Sequence, residues 1–130
     1  MTAMLDHVSL GGTDLTASGA FDDAALAPLS YRRVLEKGIG LAYGPGPGRD
    51  GMMFWIVRPK ADPAASRGTH MAFTAENRDA VDGFHAAALA AGGRDNGAPG
   101  LRPEYSDNYY GAFVLDLDGY KVEAVCRTEH

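Results

Sequence analysis

The stretches HVSLGGTDLTASGAFDDAALAPL (residues 7–29) and HMAFTAENRDAVDGFHAAALAAG (residues 70–92) are two versions of one pattern. His7 aligns with His70, Leu10 with Phe73, Phe21 with Phe84, and Ala24-Ala25-Leu26-Ala27 with Ala87-Ala88-Leu89-Ala90. The offset stays at 63 residues throughout, the separation of His7 and His70. Further along, Asp50-Gly51 aligns with Asp118-Gly119 at an offset of 68, the five extra residues falling in the loop near Asn96 to Tyr110. An internal repeat is the signature of paired structural units that bury a sheet face only together. A potential metal ligand at one equivalent position in each copy can bring two ligands about a pseudo-twofold axis.

The 130 residues are one domain's length and enough for a core without disulfide staples. Hydrophobic residues make up 45% and charged residues 22%, as in ordinary globular chains. Twelve basic against seventeen acidic residues give a net charge of −5, with no basic cluster, which argues against nucleic-acid binding. No apolar run is long enough to span a membrane, and no secretory leader is apparent, so a cytoplasmic address is expected. Cys126 is the single cysteine and is expected as a buried, inert thiol.

Leu5–Leu10 reads as a strand with Leu5, His7 and Ser9 on one face. Asp14 is the expected cap of a helix over Leu15–Ala27, which Pro28 ends. Strands are expected over Tyr31–Glu36, Gly40–Tyr43 and Met52–Arg58, with the breaker run Gly44–Gly48 before the third. The second copy repeats the order. A strand covers Thr69–Thr74, and a helix capped by Asn77 covers Arg78–Ala91 until Gly92-Gly93 stops it. A long loop then leads to strands over Gly111–Leu115 and Tyr120–Cys126, joined by an Asp118-Gly119 hairpin. The expected class is α+β, with two βαβββ modules (about 4–59 and 68–127) in a curved, barrel-like mixed sheet. The modules are joined by a linker near Pro59–Gly68.

In the second register Trp55 aligns with Glu123, a carboxylate in the middle of the apolar strand YKVEAVC. Burying it without a partner would cost several kcal/mol, about what an unpaired buried charge costs, so a partner is expected. His7, His70 and Glu123 form a facial set of two imidazoles and one carboxylate. Such a set suits a divalent ion (Fe, Mn, Zn or Ni) and leaves coordination positions open; ligand type does not choose among these metals. The segment LRPEYSDNYYG (101–111) adds pocket candidates. Arg102 is placed to hold an anionic substrate, Tyr105 and Tyr109 to donate to a metal-bound oxygen, and Asn108 and Trp55 to line the cup. Packing of these aromatics at the barrel edge is the competing reading. His85 is expected to be solvent-exposed, and the terminal His130 disordered.

These motifs resemble the vicinal oxygen chelate superfamily of glyoxalases, bleomycin-resistance proteins and extradiol dioxygenases. The resemblance rests on DHVSL with TDL, on GTHMAF, and on the closing GAFVLDLDGYKVEAV, which has the family's aromatic-x-x-Asp-x-Asp-Gly-x-x-x-Glu hairpin. It covers Leu5 to Val125. It implies paired βαβββ modules, usually in a homodimer, and a small-molecule substrate or ligand. It also implies metal ligands at the positions of His7, His70 and Glu123. The fourth ligand position, used by glyoxalase I as its base, falls on Trp55, whose indole N–H only donates. A glyoxalase I is therefore disfavoured. The implied alternatives are an isomerase (lyase type), a dioxygenase or a thiol transferase, the last closest to the fosfomycin-modifying enzymes. A drug-sequestering binding protein with a vestigial metal site is the alternative reading. No catalytic base stands out, Glu104 and the tyrosines being the candidates. Whether the modules pair within one chain or swap between two is left open.

Overall fold

The computed structural model describes residues 7–38, 40–46, 53–58 and 68–130. The Leu5 end of the first strand, the Asp50-Gly51 pair and the linker from Pro59 lie outside the described residues. Strand β1 (Val8–Gly11) leads to helix α1 (Leu15–Leu26), then β2 (Arg32–Lys37), β3 (Gly40–Gly44) and β4 (Phe54–Val57). The second unit repeats this with β5 (His70–Thr74), α2 (Arg78–Ala90), β6 (Arg94–Leu101), β7 (Tyr110–Leu115) and β8 (Lys121–Cys126).

Each unit forms its own four-stranded mixed sheet, ordered β1-β4-β3-β2 and β5-β8-β7-β6. The first strand runs parallel to the last and the remaining pairs are antiparallel. The expected α+β class and the two βαβββ units are therefore present. The sheets are separate, however, and do not close into a barrel. The units meet through their helices, α1 and the turn after it packing on α2.

Local chemistry explains the helix limits. Asp14 accepts from the Ala17 N–H at 3.1 Å and Asn77 from the Ala80 N–H at 2.8 Å, each satisfying a first-turn donor that the helix leaves open. Asn77→Ala is expected to cost about 1 kcal/mol of unfolding free energy, read by urea denaturation. Pro28 does not end the chain's coil at once. It sits inside a 3-10 turn, Ala27–Leu29, whose first positions need no N–H donor, and Ser30 follows in the left-handed region at φ 65°.

Strand β6 is the clear departure from expectation, since it occupies part of the segment read as a loop. Asn, Gly and Pro in RDNGAPGL conceal it, but β6 is the sheet edge, where Pro99 breaks no central ladder. Register shifts flank Gly97, so the strand is bulged. The hairpin from β7 to β8 turns as expected. Gly119 takes φ 88°, and the Asp116 carboxylate accepts from the Asp118 and Tyr120 N–H groups at 3.0 and 2.9 Å.

Strand alternation sends one face of each sheet to a shared core. Phe21, Ala25 and Leu26 of α1 and Val81, Phe84 and Ala88 of α2 pack there with Tyr43, Phe54, Ile56, Phe73, Val122 and Ala124. Phe54 meets Phe73 across the two units edge-on, with ring centres 5.3 Å apart. Cys126 is fully buried, as expected, with Sγ 3.1 Å from the Thr128 hydroxyl. The opposite sheet faces carry His7, Ser9 and Trp55 in the first unit and His70, Ala72 and Glu123 in the second. Between them, at β1 and β5, His7 and Ala72 line one small cavity.

Candidate functional site

Strand pairing places the two copies in the same register. Ser9 lies opposite Trp55 between β1 and β4, and Ala72 opposite Glu123 between β5 and β8. In both units the histidine sits two residues before that pair, on the same face. Trp55 thus stands where Glu123 stands in the second unit.

Glu123 is 1% exposed, although its strand neighbours Val122 and Ala124 point to the core and its own face looks outward. Three elements build its niche. His70 opens β5 and brings Nε2 to 2.9 Å from Glu123 Oε1. A carboxylate only accepts, so Nε2 carries the proton of this pair. Tyr109, just before β7, donates its hydroxyl to Oε2 at 2.5 Å. Gly111 supplies the space: a Cβ there would come within 3.0 Å of Oε2. Burial, then the hydrogen bond to Glu123 and its charge, push the Tyr109 hydroxyl up to about 12. At neutral pH Tyr109 is therefore a donor and not a base.

The remaining candidates separate. Residues 102–109 form a compact loop closed by the Arg102 N–H on the Tyr109 carbonyl at 2.7 Å. Tyr105 is 59% exposed and packs edge-on against Tyr109, with ring centres 5.0 Å apart. Asn108, at φ 62°, turns its Oδ1 towards Arg78 Nη2 at 3.5 Å and away from Glu123. Arg102 lies over the Phe113 ring, 5.4 Å from its centre, and donates to the Ala98 carbonyl at 2.7 Å. Two residues that the sequence reading passed over also belong to this face. Phe113 pairs with Glu123 across β7 and β8, and Lys121 places Nζ 4.7 Å from the Phe113 ring centre. The signal was available, since both follow from period-2 alternation about Glu123.

His7 lies at an apolar cavity of about 260 Å³ between β1 and β5, with Tyr31, Met53, Phe54, Met71 and Phe73. It is exposed and does not join His70 and Glu123: among the described residues no group of three or more His, Cys, Asp or Glu side chains is placed to hold a metal ion. A larger open cavity of about 460 Å³ lies outside α1 against β2 and β3, lined by Asp23, Arg33, Glu36 and Arg58, and contains none of the site candidates. His85 is half-buried, not solvent-exposed as expected, because Nε2 sits 2.9 Å from Asp95 Oδ1. The His130 carbonyl accepts from the Arg78 N–H at 2.9 Å, so the terminus is docked on α2.

The donor chemistry of the His70–Glu123 pair suits a divalent ion. Two bonds of about 2.1 Å at a right angle put the donor atoms about 3 Å apart, the separation this pair already has. Once Nε2 gives up its proton, this pair has two adjacent lone-pair donors to offer.

Comparison with known proteins gives a consistent picture. The family model described as Glyoxalase/Bleomycin resistance protein/Dioxygenase superfamily matches residues 5–124. A glyoxalase/bleomycin resistance protein from Albidiferax ferrireducens T118 is 30% identical, with a TM-score of 0.83 over 97% of this chain and 100% of that one. A putative glyoxalase from Bacillus halodurans is 25% identical, with a TM-score of 0.69 over 95% of this chain and 96% of that one. A lactoylglutathione lyase from Agrobacterium tumefaciens, at 21% identity, shares the fold with a TM-score of 0.65 over 97% of this chain and 94% of that one. A comparison with curated proteins found no match. No helix among the described residues is long and apolar enough to cross a membrane.

Proposed function

This chain belongs to the Glyoxalase/Bleomycin resistance protein/Dioxygenase superfamily, and on that premise we propose that it is a divalent-metal-dependent enzyme acting on a small oxygen-bearing substrate. His70 and Glu123 of one chain hold the ion, and His7 of a second copy completes the set in a homodimer. The observation that carries this reading is the His70–Glu123 pair, 2.9 Å apart on an outward sheet face with the carboxylate buried. A dimer accounts for the third ligand, because His7 stands on the outer face of the other unit and a second copy has that face to offer.

The bound ion supplies Lewis-acid polarisation of substrate oxygens. The chain's own residues do the rest. Tyr109 holds Oε2 and leaves Oε1 turned towards His70, fixing the carboxylate's orientation. The phenol keeps its proton and donates it to Glu123 Oε2, so Tyr109 is a positioning group for the carboxylate. Trp55 of the second copy comes with its His7, on the same sheet face, and its indole offers no carboxylate base. An isomerisation that needs a base at that position is therefore disfavoured, and ring-opening oxygenation or thiol addition is favoured.

Calorimetric titration of the full chain with Mn²⁺ and Zn²⁺ tests this. About one ion per chain is expected, weakened about a hundredfold or more in His7→Ala and in His70→Ala. Co-expressed His7→Ala and His70→Ala chains form a heterodimer with one intact site of two, so the purified heterodimer should bind about half the parent's ions. If the wild-type chain takes up no ion, the second reading replaces the first: a binding protein of the same fold with a lapsed metal site. That reading is favoured by the internal satisfaction of both Glu123 oxygens.

A further inference from the structure

Two cations stand on the ring of Phe113, the register partner of Glu123 across β7 and β8. Arg102 and Lys121 are both half-buried, and among the described residues neither makes an ion pair. Both are held instead by the ring of Phe113, at 5.4 and 4.7 Å from its centre. A ring face positions a cation without cancelling its charge, so the positive potential stays available to a ligand. His70 is the third group on this ring, with centroids 5.9 Å apart, and Lys121 is its register partner across β5 and β8.

The edge strand is shaped to admit the guanidinium. A Cβ at Gly97 would come within 2.8 Å of Phe113 Cδ1 and 3.3 Å of Arg102 Nη2, and one at Gly100 within 3.1 Å of Arg102 Nη1. Arg102 therefore lies close against two glycines, tied to the Ala98 carbonyl at 2.7 Å. The bulged β6 has a purpose in this light, since it turns glycines towards the guanidinium. The overall charge of −5 would repel an anion, so attraction has to come from local cations.

We propose that the site takes a small organic oxyanion, a carboxylate or phosphonate, whose charged group docks on Arg102 and Lys121 and whose body lies over the sheet face towards His70 and Glu123. The proposal rests on the metal-site reading only for which end of the ligand reacts; the anion subsite itself stands on Arg102, Lys121 and Phe113. Guanidinium suits the two oxygens of such a group through paired N–H donors, and the ammonium adds a point charge.

The probes are phenylphosphonate, benzoate and the neutral benzyl alcohol. Each is titrated into the full chain at pH 7.5, once treated with chelator and once loaded with Mn²⁺, by calorimetry and by amide shifts of Gly97 and Gly111. Saturable binding of at least one anion in the chelator-treated protein is expected, with no saturation by benzyl alcohol. Arg102→Gln and Lys121→Gln are each expected to weaken it about tenfold, with native-like amide spectra. The tighter of the two anions identifies the oxyanion class. If neither anion binds better than benzyl alcohol, or if both well-folded variants bind as the parent does, the proposal is overturned. Should Arg102→Gln fail to fold, Lys121→Gln and the neutral probe decide alone. Because chelator-treated protein is used, loss of the metal and loss of the anion subsite read out separately.

Discussion

Glu123→Met is expected to leave the metal-free chain as stable as the parent, or up to about 2 kcal/mol more stable, while Mn²⁺ affinity falls about a hundredfold or more. The side chain is almost fully buried between Phe113, Val125 and Gly111, surroundings that favour an apolar group of similar length. Its two partners do not depend on it for solvation. His70 keeps 36% of its side chain exposed and Tyr109 is only part-buried, so water can reach both when the carboxylate is gone. Replacing a buried ionic group by a shape-matched apolar one is often neutral or stabilising for this reason. A residue that costs stability and is nonetheless present is best explained by a ligand. Urea denaturation with chelator present, and calorimetry without it, measure the two effects. A stability loss above about 2 kcal/mol would make Glu123 a structural ion-pair partner and remove the argument for a ligand site.

The second large effect concerns carboxylates at the junction of the units. Asp118, in the β7–β8 turn, accepts from the Thr13 N–H at 3.1 Å, the Thr13 hydroxyl at 2.8 Å and the Ser18 hydroxyl at 3.4 Å. This ties the second unit to the start of α1. One turn after Ser18 comes Asp22, buried at 6% exposure, whose carboxylate accepts no hydrogen bond among the described residues. Burial first, then the charges of Asp116 and Asp23, raise its carboxyl well above the usual range; Arg33 opposes and Asp118 adds to the rise. Burial also pushes Asp116 up to about 6, against the backbone N–H groups that favour its ionised form.

The sign follows from proton linkage. Between the unfolded value near pH 4 and the raised folded values, the folded chain binds more protons than the unfolded one. Stability therefore falls as pH rises through this window, and the chain is expected to be more stable at pH 5 than at pH 7. Asp22→Asn is expected to stabilise it by about 1–2 kcal/mol at pH 7.5, the gain shrinking towards pH 4.5, where Asp22 is itself protonated. Urea melts across that range are the measurement. A less stable variant at pH 7.5 would mean that Arg33 holds the Asp22 charge more strongly than its neighbours repel it.

Most of the element order was legible because the repeat carried its own punctuation. Asp14 and Asn77 announced their helices, and Asp118-Gly119 its hairpin, since caps and turns are local chemistry. The register of the duplication was legible too. Aligning Trp55 with Glu123 from sequence agrees with the pairing of Ser9 with Trp55 and Ala72 with Glu123. Strand β6 was not legible. An edge strand needs one ladder only and tolerates Gly, Asn and Pro, so its sequence reads as a loop. Phe113 and Lys121 were missed because an aromatic and a lysine on a strand are ordinary, and only the folded chain sets Lys121 and Arg102 on the Phe113 ring.

The sequence by itself determined which residue types repeat, which strand face each histidine takes, and that an indole stands in the first unit where Glu123 stands in the second. These depend on spacing and side-chain chemistry, which the chain carries before it folds. Tertiary structure decided the company those residues keep. It joined His70, Glu123 and Tyr109, set Arg102 and Lys121 on the Phe113 ring, and left His7 apart from the His70–Glu123 pair. The reason is physical: the two units bury their helix-facing sides in one core, and in that packing His7 does not reach the His70–Glu123 pair.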